Sequence, residues 1–178
     1  MAHIMVDIET HSTQTFAAIA SIAAASFSLE GGRITDAFSV NIEPSSCEEI
    51  GLHFDPKVAE WWSKQSQEAQ DSLKDNQLPI KEALNLFKDW FHRASGKYAW
   101  SQGASFDIPI LANAYAMIGS NTPWNFMNIR DTRTIYAVSN FEVSSVQRNL
   151  KLKHDAAADV LFQVKCVQGA YSSIINGK

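Results

Sequence analysis

The stretch His3-Ile4-Met5-Val6-Asp7-Ile8-Glu9-Thr10 decides how this chain is read. It predicts a β-strand, in which successive side chains point to opposite faces. Met5, Asp7 and Glu9 then share one face, and Ile4, Val6 and Ile8 share the other. Two like charges on a buried strand face are unfavourable unless a cation offsets their repulsion and lost hydration. A divalent metal bound by carboxylate oxygens, the ligands that Mg²⁺ and Mn²⁺ prefer, supplies such a cation. The competing reading is an edge strand whose acidic end is solvated.

Outward from this strand, a second apolar run covers Ala18 to Leu29 and ends at Glu30-Gly31-Gly32-Arg33. Its alanines favour helix by propensity. The loosely alternating run Ile34 to Ile42 lies just beyond the Gly-Gly turn, however, and the pair predicts a hairpin of two strands. Pro44 to Phe54 reads as loop. Asp55-Pro56 predicts a helix start, with Asp as N-cap and Pro at the first helical position, leading into Val58, Trp61 and Trp62. Pro79 to about Ala94 carries Ala83, Leu84, Phe87, Trp90 and Phe91 at helical spacing. A short strand at Lys97 to Ser101, a helix at Ser105 to Ile118, a last strand at Asn125 to Arg130, and helices at Asp131 to Val138 and Asp155 to Ile174 complete the reading. The expected fold is α/β: a mixed sheet of about five strands flanked by helices.

Composition sets the limits. The chain has 178 residues, 46% apolar and 19% charged, which suits one globular domain with a sizeable core. No repeat or long Pro/Gly/Ser linker interrupts it, so one domain over residues 1–178 is expected. The two cysteines, Cys47 and Cys166, fit free thiols in a reducing cytoplasm better than a disulfide scaffold. Phe16 to Leu29 is too short to span a bilayer, and it follows acids instead of a basic segment, so neither membrane insertion nor a signal peptide is expected. A net charge of −4 argues against gripping nucleic acid mainly by counterion release. It does not exclude a nuclease, because bound metal supplies positive charge locally.

Two further acidic positions complete a pattern. In Trp100-Ser101-Gln102-Gly103-Ala104-Ser105-Phe106-Asp107 a strand gives way through Gly103 to a helix start, and ligands of open α/β sheets gather at such strand ends. Asp107 taken alone is weak evidence, since acids are routinely placed in first helical turns to oppose the helix dipole. In His154-Asp155-Ala156-Ala157-Ala158-Asp159, Asp155 is a good N-cap, which places His154 before the helix and Asp159 in its first turn. Three small alanines there let the helix approach the sheet closely. Of the other candidates, Trp61 and Trp62 are adjacent on a helix and rarely face one way, so one is expected in the core. Asp131 suits N-capping, and Arg130 and Arg133 suit either phosphate contacts or salt bridges.

Asp-x-Glu-Thr, Phe-Asp and His-x-Ala-x-x-Asp occur in that order along the chain. The arrangement resembles the DEDDh 3′–5′ exonucleases of the ribonuclease H-like fold, the group of ribonuclease T and the polymerase proofreading subunits. Glu60-Trp61-Trp62-Ser63-Lys64-Gln65, Gly103-Ala104-Ser105-Phe106-Asp107, Pro123-Trp124 and Arg130-Asp131-Thr132-Arg133-Thr134 are similar to a subfamily containing a mycobacterial exoribonuclease and the phage DNA exonuclease A type. The resemblance implies a three-layer sandwich. It also implies that Asp7, Glu9, Asp107 and Asp159 bind two divalent ions, Mg²⁺ or Mn²⁺, that His154 is the general base, and that Thr10 contacts the terminal nucleotide. Phe106, beside the third acid, is a candidate to buttress a base. The implied substrate is single-stranded RNA or DNA with a free 3′ end, released as 5′-mononucleotides, and the architecture can pair two copies as a homodimer to complete a substrate groove. The chain departs from the family pattern at Ser12, where glycine is usual, and at Ala23, where the subfamily often has glycine. The different-class alternative is a catalytically idle nucleic-acid-binding or interaction module on the same fold. An intact set of repelling acids with a histidine counts against it.

Overall fold

The computed structural model describes residues 2–32, 34, 36–147 and 155–177. A single sheet has the spatial order β4-β3-β2-β1-β5-β6, formed by β1 (Ala2–Thr10), β2 (Ile19–Phe27), β3 (Asp36–Ile42), β4 (Gln77–Leu78), β5 (Gly96–Ser101) and β6 (Ile129–Asp131). β2 pairs antiparallel with both β1 and β3, while β5 pairs parallel with β1 and β6 parallel with β5. The strand that bears Asp7 and Glu9 is therefore central, which removes the solvated-edge reading.

Alternation along β1 divides the molecule into layers. Ile4, Val6 and Ile8 enter a core completed by Ile22 and Ala24 of β2, by Ala83, Leu84, Phe87, Trp90 and Phe91 of α4 (Ile80–Arg93), and by Ile108, Leu111 and Tyr115 of α5 (Asp107–Met117). Met5 points the other way, into a second core with Ala23, Ala25, Phe27, Trp100 and Val160, Val164 and Val167 of α7 (Ala156–Ile175). Helices thus cover both sheet faces, the three-layer arrangement of the ribonuclease H-like fold. The alanine-rich run is a strand for this reason. Covered on both faces, it reads as continuously apolar, and its small side chains leave room for α7 on one of them.

Several details differ from the sequence reading. The segment expected as loop starts with α1 (Pro44–Glu49), whose first turn is led by Pro44. A short helix, α3 (Gln67–Ser72), and the two-residue β4 lie between α2 (Pro56–Ser63) and α4; both are too brief to leave a periodic signal. The last strand is shorter than expected, because Phe126–Asn128 is a turn of 3₁₀ helix ahead of β6. Of the three alanines opening α7, only Ala156 packs into the core, and Ala157 faces outward. Among the described residues no helix is long and apolar enough to cross a membrane. Both cysteines are buried, and neither is in a disulfide.

Candidate active site

Asp7 and Glu9 project from one face of β1, as the period of a strand requires. Opposite them starts α7, capped by Asp155, whose carboxylate accepts a hydrogen bond from the Ala158 amide at 2.9 Å. That cap places Asp159 in the first turn, and carboxylate oxygens of Asp7, Glu9 and Asp159 lie within 4.8 Å of one another. Two elements about 150 residues apart in sequence, β1 and α7, meet at this point.

Asp107 stands outside this trio but is tied to the same strand. The Ile8 amide donates to its Oδ1 at 3.3 Å, and the side chain is 4% exposed. Gly103, at φ +92°, turns the chain from β5 into α5 and brings Asp107 to the helix start. Asp131 secures the turn. Its Oδ2 accepts from the Ala104 amide at 2.8 Å, while its Oδ1 caps α6 (Thr132–Ser139) through the Arg133 amide at 2.7 Å. Both oxygens of Asp131 are thus engaged in structure.

Three of these acids, Asp7, Glu9 and Asp107, are shifted upward in this confined site. Burial raises Asp7 well above the usual carboxylate range, and the charges of Asp107, Glu9 and Asp159 push it the same way. Glu9 is pushed up to about 8, first by burial and then by the charges of Asp159, Asp107 and Asp155. Asp107 is pushed up to about 7 by burial, against the opposing effects of the Ile8 amide and the Arg133 charge. Among the described residues neither Asp7 nor Glu9 forms an ion pair.

One residue of the site escaped the sequence reading. Gln163, buried on α7, donates from Nε2 to Asp7 Oδ1 at 2.7 Å. It lies four residues after Asp159, hence on the same helix face, and that i, i+4 spacing was the available signal.

Beside the acids opens a cavity of about 500 Å³ lined by Glu9, Thr10, Thr13, Asp55, Lys57, Trp61, Trp62 and Phe106. The tryptophans divide as adjacent helix positions should. Trp62 is buried and donates from Nε1 to the Thr10 carbonyl at 3.0 Å, whereas Trp61 is 41% exposed at the cavity. Phe106 precedes α5 and is half-buried, packing partly on the core. Thr10 Oγ1 donates to the Ser12 carbonyl at 2.7 Å. Ser12 itself is fully buried, its hydroxyl 2.7 Å from His53 Nδ1. Serine in place of glycine here therefore pins the loop after β1 to the segment that leads into α2. Ala23 pairs with Asp7 across the sheet and packs under α7. His154 lies outside the described residues.

Solved structures of similar fold include chains of exonuclease I. The E. coli exonuclease I chain crystallised with a 5cy-dA13 oligonucleotide is 12% identical, with a TM-score of 0.68 over 98% of this chain and 43% of that one. The zinc-bound E. coli exonuclease I–single-stranded DNA complex is 15% identical, with a TM-score of 0.65 over 96% of this chain and 40% of that one. The moderately thermophilic exonuclease I of Methylocaldum szegediense is 14% identical, with a TM-score of 0.64 over 98% and 43%. This chain spans less than half the length of those proteins, and at such identity the likeness establishes the fold alone. No curated protein matches the sequence. The model of the 3′-5′ exoribonuclease Rv2179c-like domain matches residues 2–171, nearly the whole chain, and the protein belongs to that family.

Proposed function

We propose that this protein is a 3′–5′ exonuclease that removes 5′-mononucleotides one at a time from the free 3′ end of single-stranded nucleic acid. The observation that carries the reading is the meeting of Asp7, Glu9 and Asp159 within 4.8 Å, with Asp107 bonded to the backbone between the first two. The family's exoribonuclease description and the fold shared with exonuclease I support it.

The donor set suits two Mg²⁺ or Mn²⁺ ions: hard oxygen ligands, close together, in a number that roughly neutralises two divalent charges. Asp7, Glu9, Asp107 and Asp159 would hold them. When bound, such a pair activates water and stabilises charge developing on phosphate and on the leaving 3′ oxygen. The protein's own residues do the rest. His154, immediately before the Asp155 cap in sequence, accepts the water's proton at a ring nitrogen, a role that imidazole suits near neutral pH. Thr10, whose hydroxyl donates a hydrogen bond to the Ser12 carbonyl, keeps oxygen lone pairs for the terminal nucleotide. Trp61 and Phe106 offer aromatic walls to a base entering the cavity between them. Gln163 holds Asp7 in its ligating orientation.

The decisive experiment is digestion of matched 3′-labelled and 5′-labelled RNA and DNA oligomers with Mg²⁺, Mn²⁺ or EDTA. Stepwise shortening from the 3′ end, arrested by EDTA and strongly slowed by a 3′-phosphate, is expected. Cleavage of a circular single strand contradicts the proposal.

Gln163→Leu tests the support of Asp7 separately. Loss of a hydrogen-bonding partner behind a metal ligand lowers metal affinity or activity by roughly 10–100-fold. A Mn²⁺ titration by calorimetry should show weaker binding in a protein that still folds. Unaltered affinity and turnover remove Gln163 from the site.

A further inference from the structure

Arg130 and Arg133 are equivalent phosphate candidates in the sequence, and the structure separates them. The Arg130 guanidinium is engaged: its Nη1 donates to the carbonyls of Met127 at 3.0 Å and Ile129 at 2.8 Å, and the group lies 4.8 Å from the centroid of the Tyr98 ring. Arg133 is exposed, and among the described residues its guanidinium makes no hydrogen bond or ion pair. It lies over the turn that feeds the site. Nη1 is 2.8 Å from where a Cβ on Gly103 would stand, so the glycine at φ +92° serves both the turn and the close approach. Asp131 sets this geometry, since one oxygen caps the helix that carries Arg133 and the other holds the Ala104 amide of the turn. The Arg133 charge is also felt at Asp107, where it opposes the upward shift of that carboxyl.

We propose that Arg133 is a substrate-binding residue that grips a phosphodiester of the single strand beside the four acids, with Gly103 and Asp131 positioning its guanidinium. The inference rests on the exonuclease reading. A polyanion entering a site of four carboxylates, on a chain of net charge −4, gains from a cation at its mouth. A guanidinium fork suits this role, because it matches two phosphate oxygens at once. Among the described residues no hydrogen bond of its guanidinium competes, and its seat on the Gly103 turn limits the orientations it must give up on binding.

The test measures kcat and KM on a single-stranded RNA oligomer with Mg²⁺ at several KCl concentrations, for the parent protein, Arg133→Gln and Arg133→Lys. Arg133→Gln should raise KM roughly tenfold or more, the scale of a lost charged hydrogen bond, with kcat changed far less. Its dependence of log(kcat/KM) on log[KCl] should flatten by about 0.7, the release expected for one phosphate contact on a single strand. Arg133→Lys should restore the salt slope but only part of the KM, because charge is kept and the fork is lost. A second measurement needs no variant: the oligomer with Ca²⁺ in place of Mg²⁺ should protect Arg133 from phenylglyoxal, read by peptide mass spectrometry. Parent-like KM and salt slope in Arg133→Gln, or equal modification with and without bound oligomer, overturn the assignment of Arg133 alone. A parent protein that neither degrades nor binds the oligomer overturns the exonuclease reading, and Arg133 with it.

Discussion

Asp7→Asn and Asp107→Asn are expected to abolish hydrolysis in a protein that remains folded and gains thermal stability. Both carboxyls are raised in pKa, Asp7 by burial and then by Asp107 and Glu9, and Asp107 mainly by burial. Asparagine keeps the volume and removes a charge that its neighbours repel. It also removes a ligand that the proposed ions need, so activity and stability should move in opposite directions. Near-normal turnover of either variant with Mg²⁺ removes the two-metal reading.

The same raised values set a pH dependence in metal-free protein. A carboxyl whose folded pKa exceeds its unfolded value adds stability that is complete below the unfolded pKa and is lost as pH rises through the folded one. Glu9 at about 8 and Asp107 at about 7 place that loss between roughly pH 4 and pH 8, so the metal-free Tm should decline across that interval. Asp107→Asn should flatten the decline. Mg²⁺ or Mn²⁺ should reverse it in the parent protein, since a ligand that binds only the folded state stabilises it. A parent Tm that rises with pH and ignores both ions contradicts the shared site.

His154→Ala is the second large effect expected, a loss of roughly 10²–10⁴-fold in rate, the contribution of a positioned general base. Metal affinity should stay close to the parent value, because the histidine is not one of the proposed ligands. The parent rate should rise with pH as the imidazole loses its proton and can act as a base, and the variant should lose that rise. The measurement is a pH–rate profile of both proteins at saturating metal, with metal affinity determined separately by calorimetry. Affinity lost in proportion to rate makes His154 a ligand or a support, and an unchanged rate assigns the proton transfer to another group.

The readable parts were those governed by local rules. Alternation in residues 3–10 gave the strand and its two faces, and Asp55-Pro56 and Asp155 marked helix starts because an Asp side chain bonds amides two or three residues on. Asp131 was legible as a cap but not as the clasp on the Ala104 amide, since that partner lies 27 residues away. The two-residue β4 and the short α3 were illegible because neither is long enough to show a period.

By itself, then, the sequence determined which residue types stand at which phase: two acids on one strand face, a third after a Gly turn, a fourth in a capped first turn. Tertiary structure alone decided what those phases face. It put β1 at the centre of the sheet, so that its acids are covered and not solvated, and it laid α7 across β1 and β2, bringing Asp159 and Gln163 to Asp7. It also distinguished Trp61 from Trp62 and Arg133 from Arg130, pairs nearly equivalent in sequence. The physical reason is one of range. Strand and helix periods are set by neighbouring residues, whereas burial, charge repulsion and the placement of a guanidinium depend on segments that meet only after the chain has folded.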